Sequence, residues 1–338
     1  MKSPPPRLPV RAFLVSEEQG GFRREVVRLD RERLPEGDLL LRVLYSSLNY
    51  KDALSATGHR GVTRVYPHVP GIDAAGIVAE SRSDAFCVGD EVLVTGFELG
   101  SSHWGGFADY CRIPSAWAVM KPAGLTLRES MILGTAGFTA GLGVQRLLEG
   151  GLTRERGPVL VTGSTGGVGC LAVAILALLG FRVTAATRKT DAQDFLRSLG
   201  AEEVVATDSL ADTTGRPLLG GRWGGVLDTV GGDILDAAIR RLLPFCPAAC
   251  CGNILSQRLN TSLYPFILRG VSLQGINSAF TPPPLRNRIW QALAGPWKIP
   301  SLEGVAVETP LEDLEPYIRR ILRGEIRGRV LIRVGVPS

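Results

Sequence analysis

The stretch VTGSTGGVG, Val161 to Gly169, sets Gly166, Gly167 and Gly169 between a strand-like run, PVLVTG, and an apolar segment with the length of a helix. Free backbone N–H groups and the positive end of the helix dipole make a helix N-terminus an anion site, and glycines let the backbone approach closely. Strand, turn and helix occur in the order that a pyrophosphate turn requires, although Ser164 stands where the G-x-G-x-x-G pattern has its first glycine. The glycines alone would suit a tight turn in any α/β protein; the order of the three elements favours a dinucleotide. The next strand-like run, FRVTAAT, leads into Thr187, Arg188 and Lys189. An acidic residue at that place would accept from a ribose 2′-hydroxyl, whereas a hydroxyl and two cations suit a 2′-phosphate. The expected cofactor is therefore NADPH.

These motifs need two kinds of scaffold. From Arg11 to about Tyr110, short β-branched runs such as LLLRVLYSS, AAGIVAE and DEVLVTGF alternate with Gly, Pro and Asp, which reads as an antiparallel, barrel-like region. After Pro122, buried strand-like runs (GPVLVTG, FRVTAAT, EEVVATD, WGGVLDTV, PAACCGN, VSLQGIN) are separated by helical segments, the pattern of a doubly wound parallel sheet. The fold class is α/β, and 338 residues suit about two domains. With 45% hydrophobic and 21% charged residues and a net charge of +5, spread without basic runs, the chain suits a small polyanion better than a nucleic acid. The longest apolar stretch, Cys170 to Leu179, is half of what a bilayer span needs, and MKSPPPRLPV has no secretory apolar region. A cytoplasmic protein without membrane or nucleic-acid partners is expected. Six cysteines lack any C-x-x-C pair, so reduced thiols are expected, with Cys250 and Cys251 at a strand end.

The chain resembles the medium-chain dehydrogenase/reductase superfamily, in its quinone-oxidoreductase branch, and within that the acrylyl-CoA reductase (NADPH) group of the YhdH/AcuI type. The resemblance rests on SSLNYKDALSATG, VPGIDAAGIV, HWGGFADY, GTAGFTAGL, the glycine turn, LDTVGG, YPFILRGVSLQGINS, TPPPLR and IRGRVLIRV, which run through essentially the whole chain. It implies a GroES-like β-barrel-type catalytic domain (1–130 and 280–338) around a Rossmann NADP-binding domain (131–279). At the positions where zinc-dependent relatives carry Cys, His and Cys, this chain has Asn49, Ile72 and Ala136. Isoleucine and alanine cannot ligate zinc, so no metal is expected. Hydride addition to an activated alkene is the chemistry left to NADPH.

The resemblance further implies a site. In an α,β-unsaturated thioester, hydride adds to the β-carbon, negative charge develops on the thioester oxygen, and the α-carbon is then protonated. Tyr50 is expected to orient the nicotinamide or donate toward the substrate, with Asn49 as a polar anchor and Asp52 nearby. His59 and Arg60 replace the tyrosine that related enoyl-thioester reductases use as proton donor, so the donor stays open. Thr165, Gly166, Gly167, Val168, Thr187, Arg188 and Lys189 are expected at the cofactor, Asn253, Ile267 and Ser278 along its nicotinamide side, and Thr135 at the carboxamide. Arg329 is expected to reach cofactor or coenzyme A phosphates, and Arg286 is either such a contact or a surface cation. Glu202 and Glu203 occupy places where relatives often have a basic residue. A short acyl-CoA thioester is the expected substrate; a quinone or alkenal reductase and a non-catalytic NADPH-binding protein are the alternatives. Pairing of the strand SLQGI with its copy would give a homodimer.

Overall fold

The computed structural model describes residues 9–335. The chain forms two compact units, Met1–Thr135 with Leu302–Ser338, and Ala136–Ser301.

In the first unit a seven-stranded sheet runs in the order Ala306–Pro310, Arg329–Arg333, Leu39–Leu48, Asp73–Ser81, Glu91–Thr95, Ala118–Met120, and Tyr110–Ile113 pairs with Leu39–Leu48 off this path. A hairpin, Val10–Glu18 with Gly21–Leu29, is joined to it through Phe13 and Phe107. Alternate residues of a strand point to one face. Leu39, Leu41 and Val43, Val92 and Val94, and Val330 and Ile332 accordingly fill a single core with Phe13, Phe107 and Ile318. Truncating one such leucine to alanine costs about 2–5 kcal/mol, because the lost transfer energy is joined by a cavity.

The second unit is a six-stranded, wholly parallel sheet in the order Glu203–Ala206, Val183–Thr187, Val159–Val161, Gly225–Asp228, Pro247–Cys250, Ser272–Gly275. The strand order reverses beside Val159–Val161, and ligands of such sheets lie outside the carboxyl ends of the strands at that reversal. Helix Gly167–Leu178 follows that strand and is buried from Gly169 to Leu176, which its all-round apolar sequence requires.

The division differs from the sequence expectation at its second boundary. Residues 280–301 go with the parallel sheet and not with the barrel. Helix Pro283–Ala294 buries Ile289, Trp290 and Leu293, and Trp290 stacks on Phe138 with centroids 5.9 Å apart. Periodicity reveals an apolar face without saying which core receives it.

Candidate functional site

Ser164 is explained by its neighbour. The left-handed residue of the turn is Gly163, with φ 59°, and a Cβ there would sit 2.2 Å from Thr229 Oγ1. Ser164 instead turns its hydroxyl back to donate to the Val161 carbonyl at 2.7 Å and is fully buried. Gly166 is the N-cap of helix Gly167–Leu178 and has no side chain to cap it. The N–H groups of Gly167, Val168 and Gly169 belong to the first helical turn and have no intrahelical acceptor. At Gly169 a Cβ would lie 2.4 Å from the Gly163 carbonyl oxygen and 2.7 Å from Ser164 Cα, so helix and turn touch through bare backbone. A cradle of this kind fits a pyrophosphate.

Thr165 and Thr187 are buried and face one another, their hydroxyls 3.3 Å apart, which ties the turn to the end of strand Val183–Thr187. Thr187 Oγ1 also accepts the Lys189 N–H at 3.0 Å, and Arg188 is exposed beside it. Two cations thus stand where an adenosine ribose would end. Glu203 does not oppose them: it pairs in register with Thr184, three residues before Thr187 and so roughly 10 Å back along the strand, where it accepts from Thr184 Oγ1 and pairs with Arg222. Two strands over in the other direction, the buried carboxylate of Asp228 accepts from Thr162 Oγ1 at 2.6 Å and from the N–H groups of Val230 and Gly231 at 3.2 and 2.7 Å. Burial pushes its carboxyl above the usual range despite these donors. It shapes the turn after Gly225–Asp228, whose Gly231 and Gly232 have φ of 71° and 63°.

In the first unit a polar cluster surrounds Asp73. Its Oδ2 accepts from Ser47 Oγ at 2.6 Å and Asn49 Nδ2 at 2.8 Å; its Oδ1 accepts from Thr135 Oγ1 at 2.6 Å, and the Thr135 N–H reaches both oxygens at 3.0 Å. Asn49 caps helix Tyr50–Ala56 in a capping box with Asp52. Asp52 Oδ2 accepts from Asn49 N at 2.8 Å and Nδ2 at 3.2 Å, and its Oδ1 accepts from Gly71 N at 3.1 Å and Ile72 N at 2.7 Å. Burial, then the neighbouring Asp73, raises the Asp52 carboxyl to about 7. Gly134 makes the cluster possible. It breaks the helical run Leu127–Glu149 with φ 51° and ψ −154°, and a Cβ there would lie 2.5 Å from Asp73 Oδ2 and from Ser47 Oγ.

Two expected ligand contacts are corrected by this cluster. Asn49 has two amide hydrogens and three acceptors around them, Asp73 Oδ2, Asp52 Oδ2 and the Ser47 carbonyl, while its Oδ1 accepts from Arg329 Nη1 at 3.2 Å. Its amide holds the cluster and leaves no hydrogen for a substrate. Arg329 is 3% exposed and donates to Ser47 Oγ and to the carbonyls of Ile132 and Leu48, with Asp73 Oδ2 3.8 Å away. It faces the buried carboxylate of Asp73 and does not serve as a surface contact for phosphates. Arg286 is no surface cation either: it is buried over the Phe138 ring.

The other expected residues fall into place separately. Tyr50, first in its helix, is 40% exposed, and its hydroxyl has no hydrogen-bond partner among the described residues. Asn253 is exposed just beyond strand Pro247–Cys250, and Ser278 is half-buried beyond Ser272–Gly275, both at carboxyl ends of the sheet. Ile267 lies on helix Tyr264–Arg269, 71% exposed beside Leu263 and Leu268. Asp73, Asp228, Gly163 and Gly134 were not singled out from the sequence as site residues, and Asp52 was named only as a neighbour of Tyr50. The available signal was an acid inside an apolar run, as in PGIDAAG and GVLDTV, because a buried carboxylate must be satisfied by donors.

The geometry defines a class. A parallel sheet with a pyrophosphate turn and a separate β unit with a buried acid–arginine cluster form a two-domain pyridine-nucleotide oxidoreductase. The chain matches the alcohol dehydrogenase GroES-like domain family over residues 35–123 and the zinc-binding dehydrogenase family over 167–293. It is 41% identical to the acrylyl-CoA reductase AcuI of Ruegeria pomeroyi, over 94% of this chain and 96% of that one. Two solved structures lie close: the yhdH oxidoreductase from Salmonella enterica in complex with NADP (TM-score 0.93, 39% identity, covering 96% of this chain and 100% of that one) and Bacillus subtilis yhfP with NAD bound (0.94, 38%, 96% and 99%). The chain belongs to the medium-chain dehydrogenase/reductase family, in its YhdH/AcuI-type group. The zinc implied by one family name does not fit: Asn49 is taken up internally, Ile72 and Ala136 offer no donor atom, and among the described residues no group of three His, Cys, Asp or Glu side chains could hold a metal.

Proposed function

We propose that the protein is a zinc-independent, NADPH-dependent reductase of the activated C=C bond of a short α,β-unsaturated acyl-CoA, converting acrylyl-CoA to propanoyl-CoA. The observation that carries this reading is the pairing of a bare-backbone turn at Gly163–Gly169 with Arg188 and Lys189 beside Thr187, in a chain whose metal positions are held by Asn49, Ile72 and Ala136. The kinship with AcuI supports the acyl-CoA substrate.

Bound NADPH supplies a hydride from nicotinamide C4. In this reading the N–H groups of Gly167 and Val168 hold the pyrophosphate, and Arg188 and Lys189 hold the 2′-phosphate. Asn253 and Ser278 border the nicotinamide side. Thr135, whose hydroxyl hydrogen is directed to Asp73, offers only lone pairs to a ligand and so accepts from an amide. The balanced reaction is NADPH + H⁺ + acrylyl-CoA → NADP⁺ + propanoyl-CoA. The β-carbon gains the hydride, the thioester oxygen carries the developing charge, and the α-carbon takes the proton. Tyr50 is the residue assigned to donate toward the substrate, because its hydroxyl is unpartnered among the described residues and half-exposed. A preorganised donor at a developing oxyanion is worth about 10²–10³ in rate.

The protein acts in this reading as a cytoplasmic homodimer. Strand Ser272–Gly275 is an outer strand of its sheet, and helix Tyr264–Arg269 with Leu263 exposes Leu263, Ile267 and Leu268 next to it in the chain. Such an edge and apolar surface are shielded by pairing with a second copy.

A substrate panel under NADPH tests the function. Acrylyl-CoA should be reduced with a higher kcat/KM than crotonyl-CoA or simple quinones; turnover of a quinone with acrylyl-CoA at the blank rate would overturn the reading in favour of a quinone reductase.

A further inference from the structure

Arg286 is the more deeply buried of two buried arginines among the described residues of the second unit, 2% exposed against 8% for Arg240, and the site described so far does not use it. It lies on helix Pro283–Ala294, and its Nη2 donates to two consecutive carbonyls, Ser278 and Ala279, each at 3.0 Å. Its guanidinium carbon lies 4.7 Å from the centroid of Phe138, and that ring stacks on Trp290 at 21° between planes. The cation is thus held on one side by an aromatic face and directs a fork of hydrogens at the loop leading into its own helix. Burying a guanidinium is costly unless its hydrogens are satisfied. The Ser278 and Ala279 carbonyls and the Phe138 ring offset part of that cost, while the buried Nε makes no hydrogen bond among the described residues.

The loop is stiff for other reasons too. Thr281 Oγ1 donates to the Asn277 carbonyl at 2.9 Å, and Phe280 N donates to Asn277 Oδ1 at 3.2 Å. The Ile276 N–H reaches the Cys250 carbonyl at 2.9 Å, so the loop leaves the sheet in register with the segment that carries Asn253. In a parallel sheet all carboxyl ends lie along one edge, about 4.8 Å apart per strand. From Val159–Val161, whose end is the glycine turn, the strand ending at Thr187 is one step one way and the strand preceding Ser278 is three steps the other. The Ser278 loop and the 2′-phosphate cations are therefore separated by four strands, or roughly 19 Å.

We infer that Arg286 is a positioning residue for the nicotinamide end of the dinucleotide: by clamping the Ser278 and Ala279 carbonyls it fixes the loop that borders this end, without contacting the ligand. The inference rests on the cofactor reading above. Lysine cannot replace the clamp fully, since a single ammonium lacks the flat face that lies over Phe138 while its hydrogens fork to two carbonyls.

The test uses full-length Arg286→Met, Arg286→Lys and, as a variant that keeps the cation but removes its ring, Phe138→Leu. NADPH affinity is measured by fluorescence titration, and affinity for adenosine 2′,5′-bisphosphate, which carries only the far end of the cofactor, by calorimetry. The expected result is about a tenfold weaker NADPH affinity in Arg286→Met, a smaller loss in Arg286→Lys and Phe138→Leu, kcat within threefold, and fragment affinity within twofold of wild type throughout. Parallel loss of NADPH and fragment binding, or NADPH affinity unchanged in the two variants that fold best, would overturn the inference. Wild-type protein that binds the fragment and not NADPH would overturn the cofactor reading itself, a result distinct from either.

Discussion

Replacing Gly169 by alanine puts the glycine turn under direct load. The new Cβ would stand 2.4 Å from the Gly163 carbonyl oxygen and 2.7 Å from Ser164 Cα, and both are backbone atoms with no rotamer to change. Ordinary carbon contacts are about 3.5 Å, so helix Gly167–Leu178 and the turn must separate by roughly 1 Å. Overpacking of this kind costs about 1–3 kcal/mol of stability. The effect on binding is larger in proportion, because the same shift moves the Gly167 and Val168 N–H groups away from a phosphate, and a charge-assisted hydrogen bond is worth about 1.5–3 kcal/mol. Loss of one such bond weakens NADPH binding about 10- to 100-fold. Fluorescence titration with NADPH, with Tm followed alongside, measures both numbers. If the variant is destabilised as expected yet binds NADPH within twofold of wild type, the pyrophosphate does not sit on this turn.

Three further outcomes follow from other parts of the site. Replacing Arg188 and Lys189 together by alanine should raise the NADPH KM about 10- to 100-fold and leave NADH nearly unchanged, since only the phosphorylated ribose uses them; steady-state kinetics with both cofactors decides, and equal changes would remove the pair from the ribose phosphate. Tyr50→Phe should lower kcat about 10²-fold while NADPH affinity stays within twofold, and unchanged turnover would take Tyr50 out of the mechanism. Asp52 holds its proton up to about pH 7, against 3.8 for an unperturbed aspartate. The folded chain then binds that proton more tightly than the unfolded chain, so the associated stability is complete below about pH 4 and is lost as the pH rises toward 7. The urea midpoint of wild type relative to Asp52→Asn should fall across that window, and a difference independent of pH would contradict the assignment.

The fold was legible because its two halves repeat different periods. Alternation along LLLRVLYSS and DEVLVTGF matches strands Leu39–Leu48 and Glu91–Thr95, and the apolar runs after Pro122 match a parallel sheet. The helix TPPPLRNRIWQAL was placed with the wrong core because its apolar stripe fits either one. At the site, the cofactor turn could be read since the chemistry lies in consecutive residues. Gly163 escaped notice because the pattern looks for its first glycine one place later, at Ser164. The cluster of Ser47, Asn49, Asp52, Asp73, Thr135 and Arg329 draws on residues up to 282 positions apart, and only the fold brings them together. That is why Asn49 and Arg329 looked like ligand contacts: each is polar and adjacent to a motif, and their internal acceptors lie far away in sequence.

In the proposed reaction a reducing equivalent passes from a phosphorylated nicotinamide to the β-carbon of an acyl-CoA alkene without a metal. The most direct measurement is mass spectrometry of the product made from acrylyl-CoA and NADPH carrying deuterium at both nicotinamide C4 positions, with a chelator present. Propanoyl-CoA with one deuterium at C3 and a rate unaffected by the chelator is the predicted result. Loss of activity in the chelator that zinc restores, or a product whose C3 carries no label, would contradict it.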